Sequence, residues 1–304
     1  MSNPHIELRL WRQFVAVAEE LHFGRAAIRL HMTQPPLTQA IATLEGLLGV
    51  RLFDRTKRSV QLTAAGAALL PEVRDLLARA QALPAHAQAA AAGEVGRLRL
   101  GFVSTVGFAL LPQWVRAFRE QHGGVQLELI EATGDMQLLA LSRGEIDAGL
   151  LLHSPGFAPD SLQHLTVARE PLVLALADSH PLAAKASLAL ADVLGEPLVV
   201  FPRRILPSLH DAVFGLYHAA GRSPQVAQEA IQMQTIVNLV SAGLGVAWVP
   251  ESVRQFQRPG VAYRSVGGQR GKPMPACETS LVWQAAANSP SLARFVAFVR
   301  AGGH

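Results

Sequence analysis

A chain of 304 residues, half of them apolar, is long enough for two or three domains and rich enough for a sizeable core. Its formal charge of +4 leans mildly toward polyanions, without the long basic runs of a general nucleic-acid coat. The lone Cys277 excludes an internal disulfide and argues against a two-thiol redox switch. No stretch approaches a spanning helix and the N-terminus lacks the blocks of an export signal, so a cytoplasmic protein with no membrane contact is expected.

Residues 6–20 place Leu8, Leu10, Trp11, Phe14, Val15 and Val17 at helical spacing, which predicts a first, core-forming helix. Phe23 to Leu30 predicts a second, packing Phe23, Ala26, Ala27 and Leu30 and leaving Arg25 and Arg29 outside for phosphates. After His31-Met32-Thr33 a third begins. Thr33 stands where an N-cap belongs, its hydroxyl free to accept a backbone N–H, with Pro35 and Pro36 in the first turn. Leu37, Ile41, Leu44 and Leu48 form one apolar face, and Thr38, Gln39 and Thr43 fall away from it. Short hydrogen-bonding side chains at a helix N-terminus suit the major groove, where Gln pairs with adenine and Thr meets a thymine methyl or a phosphate. The segment from Val50 to Thr63 predicts a short hairpin with Arg55, Lys57 and Arg58 at its tip. Together these read as a winged helix-turn-helix; the plainer alternative is a two-helix packing unit with solvated charges.

Thr63 to Ala92 reads as one long alanine-rich helix. Its stripe, Leu69, Leu70, Val73, Leu76, Leu77, Ala80 and Leu83, needs burial against a second copy or against the C-terminal domain. Pro71 and Pro84 are expected to kink it, and Ala85 to Gly93 to form a soft hinge. Strands are predicted at Arg97–Val103, Val125–Glu131 and Ile146–Leu152, with helices at Leu110–His122 and Met136–Arg143 between them. A second α/β unit begins near Glu170, with strands at Leu172–Ala177, Leu198–Phe201, Gln225–Ala230 and Gly243–Pro250 and helices at Ser208–Ala220 and Met233–Ala242. Glu278–Trp283 and Ser291–Arg300 predict a returning strand and a closing helix. Alternation of this kind argues a parallel α/β sheet.

The motifs Phe-Gly-Arg-Ala-Ala at 23–27, Thr-Gln-Pro-Pro-Leu-Thr at 33–38, Leu-Glu at 44–45, Leu-Gly at 48–49, Leu-Phe-Asp-Arg-Thr at 52–56 and Leu-Thr-Ala-Ala-Gly at 62–66 resemble those of the LysR-type transcriptional regulators, and the likeness covers almost the whole chain. The resemblance implies an all-α winged helix-turn-helix at 1–62, a linker and dimerisation helix at 63–92, and a two-lobed, periplasmic-binding-protein-like α/β effector domain at 93–304. Lobe 1 would span about 95–168 and 267–304, and lobe 2 about 169–266. It also implies double-stranded DNA as partner, a homodimer through the linker helix, a homotetramer, and contact with RNA polymerase. The residues expected on DNA are Arg25, Thr33, Gln34, Pro35, Thr38, Gln39, Arg55 and Arg58. Family members commonly carry arginine at the position of Gln39, which implies a different base preference here.

In open α/β sheets ligands sit at the carboxyl ends of strands, where helix N-termini favour a carboxylate. Ser104, Thr105 and Thr133 occupy two such ends, and Phe201, Pro202, Arg203 and Gln232 face them from the other lobe. The alternative for Ser104 and Thr133 is simple helix capping. Glu131-Ala132-Thr133-Gly134 and the run from Ala230 to Val237 are similar to family members that sense muconates and benzoates, which implies a small organic-acid effector, a muconate or an aromatic carboxylate, and no cofactor. That subgroup often has an arginine near position 152, where this chain has Leu152-His153, which counts against a second, deeper aromatic-acid site. No nucleotide loop, nucleophile elbow or metal cluster is present, His31, His153, His164, His180, His210 and His218 are scattered, and Asp147 reads as a turn or cap residue, so no enzyme is expected. The competing reading is a cytoplasmic solute-binding protein, whose binding would lack the steep salt dependence of DNA binding.

Overall fold

The computed structural model describes residues 5–56, 59–185, 187–267, 274–287 and 289–303. It divides into two compact units, Met1–Gln88 and Ala89–His304. The first unit holds α1 (Leu8–Glu20), α2 (Phe23–Arg29), α3 (Gln34–Leu48), β1 (Phe53–Arg55), β2 (Val60–Leu62) and most of α4 (Ala64–Ala91). Phe14, Val17, Phe23, Leu37, Ile41, Leu44 and Phe53 make its core, with Phe53 against Phe14 and Phe23 at ring separations of 5.6 and 6.1 Å. The hairpin pairs Phe53 with Leu62 and Arg55 with Val60.

The structure departs from expectation at two points here. Thr33 is the N-cap residue of α3 by backbone conformation, but its hydroxyl makes no capping bond. The reason is local: with Gln34 first in the helix, Pro35 and Pro36 occupy the second and third positions, whose N–H groups an N-cap side chain serves, and proline has none. The helix α4 runs unbroken through Pro71 and Pro84. Val73 and Leu77 of its stripe are buried in the core of its own N-terminal unit, against neither a second copy nor the C-terminal domain, whereas Leu76 and Leu83 are exposed.

The second unit contains β3 (Gly96–Phe102), a 3-10 turn at Ser104–Phe108, α5 (Leu110–Gln121), β4 (Val125–Glu131), α6 (Gly134–Ser142), β5 (Ala148–His153) and β6 (Gln163–Ala177). A 3-10 turn at Pro181–Ala184 leads to β7 (Leu188–Ala189), α7 (Leu190–Val193), β8 (Leu198–Val200), α8 (Pro207–Ala219), β9 (Val226–Glu229), α9 (Met233–Ser241) and β10 (Ala247–Pro250). After a 3-10 turn at Glu251–Phe256 come β11 (Val261–Arg264), β12 (Val266–Gly267), β13 (Ala276–Trp283) and α10 (Pro290–Arg300). In one lobe the strand order is β4-β3-β5-β13-β6. In the other, β6 continues between β10 and β11, and β8 joins through a Leu198–Val246 bridge with β9 beside it.

The sheets are mixed, which corrects the expectation of a parallel sheet. β3 runs parallel to β4 and β5, but β13 is antiparallel to β5 and β6, and β10 and β11 are antiparallel to β6. A strand that returns from one lobe to the other has no crossover helix and meets its neighbour in the reverse sense. β6 is also longer than expected: Gln163–Pro171 pairs with β13 in the first lobe and Leu172–Ala177 with β10 and β11 in the second. The first lobe has a core around Leu98, Leu100, Phe118, Leu150 and Phe295 and a smaller cluster of Leu141, Ile146, Leu151, Leu162 and Val282, and the second a core around Val173, Val199, Val213, Tyr217, Ile236 and Trp248.

In the segment expected as a soft hinge, Ala92 and Gly93 pack within the second unit. Gly93 takes φ +69°, and a Cβ there would stand 2.6 Å from the Pro290 backbone. Arg294 on α10 donates to the Ala92 carbonyl at 2.7 Å, holding the end of α4 on the closing helix. Among the described residues, no helix is long and apolar enough to cross a membrane.

Candidate functional site

The N-terminal turn of α3 carries the first candidate surface. Gln34, Pro35 and Gln39 are exposed there and Thr38 is half-buried. The Thr38 hydroxyl donates to Gln34 O at 3.1 Å and Thr43 to Gln39 O at 2.9 Å. A threonine bonded back onto its own helix has spent its donor and offers mainly its methyl outward. A groove beside this turn is walled by Phe23, Gly24, Gln34, Thr38, Ser59 and Val60.

The arginines expected on phosphates are engaged inside the domain. Arg25 pairs with Glu20 at 3.3 Å and also donates to the Glu20 carbonyl. Arg29 pairs with Glu19 at 2.7 Å, and so does Arg74 of α4, an arrangement that holds the Glu19 carboxyl below the usual range through the Arg74 hydrogen bond first. Arg55 does not crown the wing: its guanidinium donates to Glu45 at 2.9 Å and lies 4.8 Å over the Phe23 ring. Arg58 lies outside the described residues.

Glu45 is the residue that sequence reasoning quoted as a motif and gave no role. From α3 its Oε1 accepts the N–H groups of Leu52 and Phe53 at 2.9 and 3.1 Å, while Oε2 takes Arg55. One carboxylate therefore fixes the base of the hairpin to the helix. Its spacing of seven to ten residues from those partners was visible, but a half-buried glutamate within a helix is ordinarily read as surface.

The second candidate site is a cleft between the two lobes of the second unit. Ser104, Thr105, Ala132, Thr133 and Gly134 form the wall from the first lobe, and Phe201, Ile205, Leu206, Ile231, Gln232 and Met233 the wall from the second. Three helices begin at this cleft: α6 after Thr133, α8 after Leu206 and α9 after Gln232. None of these three residues makes a side-chain capping bond, so the capping alternative fails for Thr133. Ser104 and Thr105 are buried in the 3-10 turn, and Thr105 Oγ1 has no hydrogen-bond partner among the described residues. Unpaired helix N–H groups and hydroxyls in an apolar cleft make a place for an anionic oxygen.

Two expected members are absent from this wall. Arg203 is exposed and bonded through both guanidinium edges to Asp211 at 2.8 and 2.7 Å, which draws it onto α8 and raises its pKa. Pro202 is buried and does not line the cleft. Beside the cleft, Ser154 and Ser208 tie the lobes together: Ser154 N donates to Ser208 Oγ at 3.1 Å and Ser154 Oγ to Ser208 O at 2.9 Å. His153 is buried with its ring nitrogens 2.8 Å from Ser154 O and 2.9 Å from Ser280 Oγ. Both are engaged inside the protein, in keeping with the expectation that the histidines are structural.

Asp147 immediately precedes β5 and accepts from the Arg99 backbone and guanidinium at 2.7 to 3.2 Å. Burial raises its pKa, but those Arg99 bonds outweigh it and leave the carboxyl below the usual range. Cys277 is fully buried with its thiol on Glu170 O, and burial pushes its pKa up, away from the thiolate that redox chemistry needs. Among the described residues no cluster of histidine, cysteine and carboxylate is placed to hold a metal.

Comparison with known proteins matches residues 8–67 to the bacterial regulatory helix-turn-helix protein, lysR family, and residues 91–303 to the LysR substrate binding domain. The regulator IlvR of Caulobacter vibrioides is 44% identical over 98% of this chain and 99% of its own. AlsR of Bacillus subtilis is 41% identical over 86% of each. Among solved structures, full-length CbnR complexed with its target DNA is 32% identical, covers 98% of this chain and 100% of its own, and superposes with a TM-score of 0.78. These relatives are named as transcriptional regulators, and no enzyme is among them. With both halves matched and the fold shared from end to end, the chain belongs to the LysR family of DNA-binding transcriptional regulators, built from a helix-turn-helix domain and an effector-binding domain.

Proposed function

We propose that this regulator senses a small organic carboxylate in the cleft between its lobes and passes the signal to DNA read by the start of α3. The observation that carries the reading is the convergence of α6, α8 and α9 N-terminal ends on a cleft whose remaining walls are apolar. The carboxylate belongs at Thr133, Gln232 and the Ser104-Thr105 turn, and a flat apolar middle, the ring of benzoate or the diene of muconate, suits Leu152, Phe201 and Met233. The ligand acts by binding one relative pose of the lobes better than another, which shifts the population.

On DNA, Gln34 and Gln39 are the base-reading side chains of this proposal, Thr38 offers its methyl, and Thr33 and Pro35 pack at the backbone. Arg25 and Arg55 act indirectly, by holding the helix-turn-helix and the wing in shape. The exposed Leu76 and Leu83 of α4 support a homodimer through this helix, and two dimers forming a homotetramer would bridge two half-sites, bend the DNA and meet RNA polymerase.

Calorimetric titration with cis,cis-muconate and benzoate tests the sensor. Binding by the wild type, lost in Thr133→Ala and Ser104→Ala, is the expected result. No binding to either compound would break the link to these carboxylates and leave the DNA-binding assignment intact. On a preferred site selected from random duplexes, Gln34→Ala should cost about 1–3 kcal/mol; unchanged affinity removes Gln34 from the reading face.

A further inference from the structure

The side chain of Gln137, on α6, is fully buried beneath the lobe-1 wall of the cleft without lining it. Its Nε2 donates to the Ala132 carbonyl at 2.9 Å and, more weakly, to the Leu150 carbonyl at 3.4 Å. Leu150 O also accepts the N–H of Val103, and Ala132 N donates to Phe102 O. Those backbone groups lead directly into Ser104-Thr105 and into Thr133. One amide therefore bonds the carbonyl that follows β4 and a carbonyl within β5 that also accepts from the residue after β3, so both cleft loops of this lobe hang from groups it touches or adjoins.

Room for this amide is made by two glycines. Gly101 of β3 and Gly149 of β5 are register partners, and a Cβ on either would stand 3.0 or 2.6 Å from Gln137 Oε1. The C–H bonds at those positions point at Oε1, which has no hydrogen-bond partner among the described residues. A buried polar side chain in a cradle cut from two paired glycines costs stability that an apolar residue would not. Packing alone gives no reason for it.

We infer that Gln137 is a positioning residue for the effector cleft: it locks the Thr133 loop and the Ser104-Thr105 turn into one rigid wall. This rests on the carboxylate-sensor reading for its purpose, but its structural content is tested independently. The experiment compares Gln137→Met, which keeps length and loses the donor, with Leu141→Ala, a buried change in the same helix away from the loop. Thermal unfolding measures the loss of stability in each, and hydrogen exchange is followed at the Ala132 and Val103 amides of the full chain. The expected result is exchange at both amides at least tenfold faster in Gln137→Met, with little change in Leu141→Ala at comparable loss of melting temperature. Equal exchange in the two variants, or wild-type exchange in Gln137→Met, overturns the proposal. Titration with benzoate and cis,cis-muconate then separates the two readings. If wild type binds and Gln137→Met binds at least tenfold more weakly, both stand. If wild type binds neither while exchange responds as expected, the carboxylate reading fails and Gln137 retains its positioning role. If wild type binds and Gln137→Met binds equally well, the positioning role is refuted.

Discussion

Removing the Glu45 carboxylate should loosen the wing from α3 by an amount that separates into two parts. Oε1 alone accepts both backbone N–H groups, and Oε2 alone takes Arg55. Glu45→Gln keeps the first oxygen and replaces the second with a donor that faces the Arg55 guanidinium. Glu45→Ala removes both and leaves the Leu52 and Phe53 N–H groups without their acceptor. Leaving a partly buried donor without its acceptor costs about 1–3 kcal/mol, here for two N–H groups, and the Arg55 pair adds about 1 kcal/mol, so Glu45→Ala should cost about 3–7 kcal/mol. Glu45→Gln loses the ion pair, whose arginine is about one-third exposed, and should cost about 1–2 kcal/mol. Urea unfolding followed by a probe in the N-terminal unit measures both, and binding to a selected DNA site should weaken in the same order. Equal costs for the two variants, or a cost for Glu45→Ala under about 1 kcal/mol, would refute the claim that the two oxygens have separate structural duties.

Three further outcomes follow from the same geometry. Leu77→Ala should destabilise the N-terminal unit by about 2–5 kcal/mol, because Leu77 is buried there, whereas Leu83→Lys should leave that stability alone and shift dimers toward monomers in light scattering. The Asp147 carboxyl is held below its ordinary value of 3.8, so its contribution is complete above that pH and is lost as the pH falls through the lowered value; Asp147→Asn should flatten this acid limb of the stability curve by about 1–3 kcal/mol. Glu170 behaves oppositely. Burial raises it above 4.5 despite bonds from Ser252, so its ionisation costs stability as pH rises through that raised value, and Glu170→Gln should stabilise the protein at neutral pH with the gain vanishing below 4.5. A denaturation series against pH checks both carboxylates.

Local pattern was enough to find most elements because their ends are punctuated. Val125–Glu131 was expected and observed with the same limits, being fenced by His122-Gly123-Gly124 and by Thr133-Gly134. The apolar face of α3 was equally legible, with Leu37, Ile41 and Leu44 all buried. Gln163–Pro171 escaped notice because its side chains are mostly polar, charged or small, and it becomes a strand through pairing with β13, more than a hundred residues away. Ionic partnerships were the least legible part. Arg55, Arg25 and Arg203 look free in sequence, and each is claimed by a carboxylate whose direction depends on helix phase and turn geometry. The cleft walls fared better, since Ser104, Thr105, Thr133, Phe201 and Gln232 sit at strand ends, where topology alone decides what faces the opening.

The continuity of β6 has a consequence for how new ligand specificities arise in this architecture. Because Gln163–Pro171 completes one sheet and Leu172–Ala177 the other, a lobe cannot be lifted from a relative without cutting a strand that its neighbour needs. Recombination inside the strand would have to preserve two registers at once. Inheritance therefore favours exchange of the whole second unit, or drift of single cleft residues, over the shuffling of half-pockets, and a chimera joined inside β6, between Pro171 and Leu172, should fold less well than one joined at the end of α4.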